Sequence, residues 1–126
     1  MSPYVTFFLL FVFVLINAST ADERMPYQMR IIFKSLMPTT TPILKFNCTM
    51  EAFTLPPQKT ALTSAYLDKA ALCHAEWNET LKADITEFDP KTDLSSGTKL
   101  YWTIRPDGLF KSLNNYHFEK KASWGP

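Results

Sequence analysis

Two acidic residues in the second half of the chain have the spacing of a catalytic pair. Glu87 and Asp89 are separated by one residue, so a β-strand would place both side chains on one face. Two neighbouring carboxyl groups can act together in glycoside hydrolysis. The same spacing is more common at a solvated strand edge, where charge protects against aggregation. The sequence favours the solvated edge, and no catalytic residue is predicted.

The histidines and cysteines are the other residues that could do chemistry. The chain has His74 and His117, together with Cys48 and Cys73. A metal site needs three or four converging ligands, and a nucleophilic thiol needs a histidine base placed by the fold. His74 follows Cys73 directly, so on a strand the two side chains point to opposite faces. We therefore predict exposed strand histidines, a structural disulfide, no metal and no cofactor.

The amino terminus indicates the compartment. Residues 5–16 (VTFFLLFVFVLI) are apolar apart from one threonine and carry no charge. This run is shorter than the ~20 residues of a membrane-spanning helix, but it suits the apolar region of a secretory signal. The small residues Ser19 and Ala21 predict cleavage after Ala21, with an uncleaved anchor as the alternative. Residues 1–21 are thus a predicted signal peptide, and the chain is expected to be secreted and extracellular. In that oxidising compartment Cys48 and Cys73 would form a disulfide.

The charges give no sign of a polyanionic partner. Thirteen basic and twelve acidic side chains leave a net charge of +1. The basic residues are spaced singly, with Lys120-Lys121 the only adjacent pair, so neither nucleic acid nor anionic membrane is indicated. Residues 22–126 are enough for one hydrophobic core and too few for two ordinary domains. We expect a single-domain monomer.

Short alternating runs predict strands. LKFNC places Leu44, Phe46 and Cys48 on one face, which is the period of a half-buried strand. Residues 60–77 are ambiguous, because their Ala and Leu content favours a helix while their alternation favours two strands around a turn at 68–69. Residues 90–97 have the composition of a loop. Four residues lie on the apolar side of their runs and are the predicted core: Phe46, Trp77, Trp102 and Ile104.

The segment YWTIRPDGLFKS predicts a hairpin. Its turn is Pro106-Asp107-Gly108, in which proline presets φ, aspartate can bond to its own backbone, and glycine accepts a positive φ. Six or seven such strands and no long helical period indicate an all-β fold, a small antiparallel β-sandwich with one disulfide tying its layers together. Trp124 either packs over one end of the sandwich or is an exposed anchor.

In their order and spacing, these residues resemble the plant self-incompatibility protein family, the S-protein homologues, as a divergent member. The resemblance runs from the first strand, through the segment ending at Cys48 and through Cys73 with Trp77, to a W-x-I-x-x-D-G-aromatic run. That run is matched by Trp102, Ile104, Asp107 and Gly108, with the aromatic residue Phe110 one position later, after Leu109.

The resemblance implies a secreted β-sandwich that acts as a ligand for a cell-surface receptor, in pollen–stigma recognition or related cell-cell signalling. The alternatives are an extracellular inhibitor or defence module on the same fold and, less favoured, a secreted hydrolase. A rigid sandwich positions its loops for recognition, and those expected to serve are 38–42, 49–60 and 89–98.

Two sequons follow from the secretory route. Asn78-Glu-Thr is expected at a turn beyond the Trp77 strand, where a glycan can be solvated. Asn47-Cys-Thr is the weaker site because its middle residue is committed to the disulfide, although alternation points Asn47 outward. We predict Asn78 and Asn47 as candidate glycosylation sites.

Overall fold

The computed structural model describes residues 28–126. The predicted signal peptide, its cleavage site and the first residues of the mature chain lie outside this range. Within it, no helix is long and apolar enough to cross a membrane. The strands are β1 (Gln28–Ser35), β2 (Leu44–Cys48), β3 (Ala52–Leu55), β4 (Thr60–Tyr66), β5 (Ala71–Glu76), β6 (Lys82–Phe88), β7 (Lys99–Arg105), β8 (Gly108–Ser112) and β9 (Glu119–Ala122).

The strands form two sheets. The five-stranded sheet has the order β4-β1-β7-β8-β9, and the four-stranded sheet has the order β3-β2-β5-β6. The predicted all-β sandwich with one disulfide is confirmed, although the described chain has more strands than the six or seven expected. Residues 60–77 form two strands, β4 and β5, around a turn. One pair departs from the antiparallel prediction: β1 and β7 run parallel at the centre of their sheet.

Alternation builds the core between the sheets. β1 directs Met29, Ile31 and Phe33 inward, and all three are fully buried. The Phe33 ring lies 5.3 Å from the Phe46 ring of the other sheet. Burial of each large apolar side chain contributes roughly 1.5–3 kcal/mol, so this interdigitation is the main force holding the layers together.

The predicted core residues differ in how deeply they lie. Phe46, Trp102 and Ile104 are buried, and the Trp102 indole Nε1–H donates to the Glu87 carbonyl across the sandwich at 3.1 Å. Trp77 is only half-buried, because β5 ends at the preceding residue and the side chain lies at the rim. It packs edge-on against Trp124, with ring centroids 5.6 Å apart.

The hairpin between β7 and β8 has a two-residue turn. Arg105 pairs with Gly108, which leaves Pro106 and Asp107 as the turn residues. Gly108 has a φ of 145°, and a Cβ at this position would collide with the carbonyl oxygen of Ala122 in β9. Glycine is therefore needed both for its backbone conformation and for the close approach of β9.

The segment 90–97, expected to be a loop, contains a helical turn. Pro90–Asp93 is a single α-helical turn, α1, followed by a 3-10 turn at Leu94–Ser96. The Asp89 carboxylate caps α1 by accepting the Lys91 N–H at 3.0 Å, and Pro90 occupies the first helical position. Both are ordinary signals for a helix start, and they outweigh the loop-like composition.

The carboxyl-terminal tail joins the two sheets at one side. After β9, Gly125 exchanges two backbone hydrogen bonds with Lys82 of β6, at 2.8 and 3.0 Å. The Trp124 indole N–H donates to the Arg105 carbonyl of the five-stranded sheet at 2.9 Å. The tail therefore covers the start of the β6 edge.

Candidate recognition surface

The disulfide lies within one sheet. Cys48 of β2 and Cys73 of β5 are directly opposite each other, with Cα atoms 4.0 Å apart, and their sulfurs are bonded. The expectation that the bridge ties the two layers together is wrong, because both cysteines belong to the four-stranded sheet. The bridge instead fixes the register of β2 on β5.

Glu87 lies inside the sandwich beside this disulfide. Its side chain is fully buried, which corrects the prediction of a solvated strand edge. Oε2 is 3.0 Å from the Cys73 sulfur, and Oε1 has no hydrogen-bond partner in the described chain. Burial, and secondly the charge of Glu51, raise the Glu87 pKa from 4.5 to about 7. A disulfide sulfur has no hydrogen, so a hydrogen bond here requires a protonated Glu87 as the donor.

The Glu87–Asp89 pair predicted by spacing does not form a site. The Glu87 carboxyl points into the core, whereas the Asp89 carboxyl is engaged as the cap of α1. Acid–base catalysis needs both groups to reach one substrate, and these two do not share an accessible face.

Glu87 does converge with Cys48 and Cys73, whose side-chain donor atoms lie within 4.8 Å of it and of one another. The two sulfurs are consumed by the disulfide, however, and are not thiolate ligands.

The two histidines occupy different settings. His74 lies on the outer face of β5, where Nδ1 is 2.6 Å from Asp84 Oδ1 and Nε2 is 3.4 Å from Glu76 Oε1. His117 is exposed in the loop between β8 and β9, not on a strand as expected, and its ring packs edge-on against Tyr116. The histidines are therefore apart from each other, and His74 is part of a polar surface network.

Both sequon asparagines are exposed. The Asn78 Oδ1 accepts hydrogen bonds from Thr80 N, Thr80 Oγ1 and Leu81 N, so its carbonyl end organises the turn. Glycans are attached to the amide nitrogen, which these contacts leave unused. Asn47 points outward from the middle of β2, beside β3 and β5.

The three loops expected to form one recognition surface lie at opposite ends of the sandwich. Segment 38–42 follows the carboxyl end of β1, whereas segment 89–98 precedes the amino end of β7. Because β1 and β7 are parallel, these two positions are at opposite ends. Segment 49–60 contains β3 and is therefore only partly a loop. The loops do not make one continuous site.

The outer face of the four-stranded sheet has alternating charges. Lys45 is opposite Glu76, and Glu76 is opposite Lys82 on the next strand. Asp84 contacts His74 on the same face. Opposite charges on neighbouring strands stabilise a sheet, so this face largely neutralises itself.

The outer face of the five-stranded sheet is basic. Its outward cations are Arg30, Lys34, Lys99, Arg105 and Lys120. Between them lie outward apolar or aromatic side chains: Ile32, Leu62, Tyr101 and Phe110. We call this surface the basic face. Arg105 contacts Asp107 at 3.5 Å, and in the described chain the other four cations have no carboxylate within 4.0 Å.

The basic face is a cluster of cations that the single spacing of the basic residues in the sequence does not indicate. Arg30 and Lys99 are far apart in sequence but directly opposite each other in the parallel β1–β7 pair. The strand register therefore brings together positive charges that are far apart in the sequence. Like charges opposite each other weaken a sheet, so this arrangement is a local cost that an acidic partner would relieve.

Comparison with known proteins identifies the fold. Protein-family models give no match to the chain, and curated proteins give none either. The fold is similar to a solved structure of a self-incompatibility protein homologue, from a widespread family of small, highly stable, secreted plant proteins. The TM-score is 0.62 and the sequences are 15% identical, with 79% of this chain and 96% of the other covered. The fold implied by the sequence resemblance is confirmed.

Proposed function

We propose that this chain is a secreted plant protein of the self-incompatibility homologue type that acts as an extracellular ligand for a cell-surface protein. The observation that carries the proposal is the likeness in fold to a secreted plant protein, together with a signal-like amino terminus. The disulfide between Cys48 and Cys73 suits an oxidising extracellular compartment.

The basic face supports a binding role. It combines four cations that have no carboxylate partner among residues 28–126 with exposed apolar side chains, of which Leu62 is 73% exposed. Apolar side chains surrounded by polar groups are typical of protein interaction surfaces. The carboxylate pair that a hydrolase would use does not converge, so the surface carries the better-supported function.

Secretion is tested first. Plant cells expressing the full chain are expected to release a product that begins at Asp22, contains no free thiol and carries a glycan at Asn78. Intact mass spectrometry under non-reducing conditions, before and after deglycosylation, measures all three features. An intracellular product with its amino terminus intact would contradict the proposal.

Binding is tested with that product. Fluorescently labelled protein is expected to bind plant cell surfaces saturably, and binding should disappear after protease treatment of the cells. The reduced and unfolded protein is the control. Binding to a soluble foreign enzyme, with none to plant cells, would instead support the inhibitor or defence role.

A further inference from the structure

β4 is the outer edge strand of the five-stranded sheet, and its sequence lacks the usual edge protection. Its seven residues, TALTSAY, include no charge, proline or glycine. Natural proteins commonly blunt edge strands with charge, proline, bulges or short length, because free backbone groups can pair with another chain. β4 is a long, unprotected edge.

The other three edges in residues 28–126 have such protection. β9 has four residues, including Lys120 and Lys121, and β3 has four residues followed by Pro56-Pro57. β6 is partly covered by the tail through Gly125. The contrast indicates that, among the described edges, the lack of protection is specific to β4.

The register shows which backbone groups of β4 face outward. Ser35 N donates to Lys59 O at 2.9 Å, and alternate pairs in an antiparallel ladder exchange hydrogen bonds. Ala61 and Thr63 therefore bond to β1, while the backbone groups of Leu62 and Ser64 point away from the sheet.

The same parity applies at the β6 edge. Leu81 O accepts a hydrogen bond from Trp77 N and therefore points toward β5. The backbone groups of the next residue, Lys82, point away from β5 and pair with Gly125. The corresponding outward groups of β4 have no strand beside them in the described chain.

The side chains beside this edge form rows of different character. Leu62 is opposite Ile32, which is opposite Tyr101, and these make an apolar row. On one side of it, Ser64 is followed by Arg30 and Lys99.

On the other side of the apolar row, Thr60 is followed by Lys34. Ser64 and Thr60 are small, so they leave space for long acidic side chains to reach the cations behind them. Glu51 lines the same recess as Arg30 and Lys99, but no ion pair joins it to either.

We propose that β4 and the adjoining basic face bind an extended acidic segment of a partner protein, which adds to the sheet as a further strand. The face of this partner segment that continues the basic face carries an acidic residue, an apolar residue and an acidic residue at alternate positions. The backbone pairs with Leu62 and Ser64, the apolar residue packs on Leu62, and the acidic residues approach Arg30 and Lys34. This inference rests on the proposed binding function and specifies the site and its ligand chemistry.

The arrangement combines two kinds of recognition. Strand addition supplies backbone hydrogen bonds of low sequence specificity, and the alternating side chains supply the selection. Carboxylates beside Arg30 and Lys99 relieve the repulsion between these opposed cations. Affinity should therefore fall as salt increases, because the charges are exposed and screened.

A blocked peptide, Thr-Glu-Thr-Val-Thr-Glu-Thr, is a direct probe because its pattern is the same in both chain directions. Added to the folded, disulfide-bonded mature protein, it is expected to shift the amide resonances of Leu62 and Ser64 and to slow their hydrogen exchange. The matched peptide with Gln in place of Glu should bind about tenfold more weakly. Binding of both peptides with equal affinity would overturn the acidic specificity.

The backbone contribution is tested on both partners. Ser64→Pro removes an outward N–H without removing a bond to β1, and it is expected to weaken peptide binding at least about tenfold. Thr86→Pro is the matched control, since the same parity directs its N–H away from β5. A peptide methylated on alternate backbone nitrogens provides the same test without altering the protein. Undiminished binding of the methylated peptide in both alternations would overturn strand addition.

Other occupants of the edge give different outcomes. Concentration-dependent dimerisation that is abolished by Ser64→Pro, with no peptide binding, would assign the edge to a second copy and overturn the proposal. Binding to phosphatidylserine vesicles that Ser64→Pro leaves unchanged, again without peptide binding, would assign the basic face to lipid. If the wild-type protein binds plant cells and Ser64→Pro binds equally well, the proposed function stands and this site is wrong.

Discussion

Two carboxyl groups are buried in residues 28–126 of the sandwich, and their surroundings are opposite in kind. Asp93 is paired with the Lys111 ammonium group, and it also accepts the Asp89 N–H at 2.7 Å and the Thr92 hydroxyl at 3.1 Å. Glu87 has no cation beside it, and one of its oxygens has no partner in the described chain. Asp93 lies beside a cation within a hydrogen-bonded network, whereas burial in apolar surroundings raises the Glu87 pKa to about 7 and favours its neutral form below that pH.

The contrast shows which change should destabilise each site. A buried ion pair is damaged most by removal of one partner, because the remaining charge is left without compensation. A buried neutral acid is damaged by a rise in pH, because the proton that makes burial tolerable is lost. Substitutions that alter charge, and changes in pH, should therefore separate the two sites.

Loss of one partner of the ion pair should have the largest effect. Asp93→Ala leaves the Lys111 ammonium group buried without a carboxylate, so the free energy of unfolding should fall by about 3–5 kcal/mol. Chemical denaturation measures the change. Asp107→Ala is the control at an exposed pair and should cost less than about 1 kcal/mol. Equal losses in the two variants would show that burial of the pair does not matter.

Removal of the disulfide should have the next largest effect, at the Glu87 site. The bridge closes a loop with a sequence separation of 25. In the chain-entropy description, Cys48→Ala with Cys73→Ala should lower the free energy of unfolding by about 3.5 kcal/mol. Urea denaturation of the double variant and the oxidised wild type gives the difference. Coincident unfolding curves would mean that the bridge adds no stability.

Titration of Glu87 should make stability depend on pH. Its pKa is about 7 in the folded protein against 4.5 for the ordinary group, so the folded state binds more protons between these values. The contribution of Glu87 to stability is therefore largest below about pH 4.5 and falls by roughly 3 kcal/mol as pH rises through 7. Glu87→Gln should remove this slope and make the variant more stable than the wild type at pH 8.

Denaturation midpoints across this pH range measure the Glu87 effect. Glu79→Gln, at an exposed turn, is the control and should keep the wild-type slope. A Glu87→Gln variant that retained the full slope would place the titration elsewhere in the molecule.

Neutralising both members of the ion pair should have the smallest effect. Asp93→Asn with Lys111→Met keeps an acceptor for the Asp89 N–H and removes both buried charges. The free energy of unfolding should change by less than about 1 kcal/mol, because the cost of desolvating the charges disappears with their attraction. A loss as large as that of Asp93→Ala would show that the charges themselves are needed.

The position of a residue in the alternation of its strand predicts whether its side chain is buried better than its residue type does. Glu87 has the parity of Ala83 and Ile85 in β6, and Lys111 has the parity of Leu109 in β8. Both patterns point these polar residues inward, whereas the acidic character of Glu87 alone favours solvent. The strands and the β7–β8 turn followed from local alternation and turn chemistry, which depend on neighbouring residues.

The remaining features depend on pairing between distant segments. Nothing in the spacing of Arg30 and Lys99 indicates that they are opposite each other, because the parallel β1–β7 register is set by the whole sheet. The burial of Asp93 likewise depends on Lys111, which belongs to a later strand. The basic face and the buried ion pair are therefore products of tertiary structure.

The position of β1 has a consequence for synthesis. It is the first strand of the described chain to be made, yet it lies between β4 and β7, and β7 begins only at Lys99. At roughly 5–20 residues per second, a ribosome takes several seconds to reach that partner. Until then β1 has one side uncovered, so the nascent chain must complete its domain after most of it has been translated. This order suits a polypeptide that is exported before it folds.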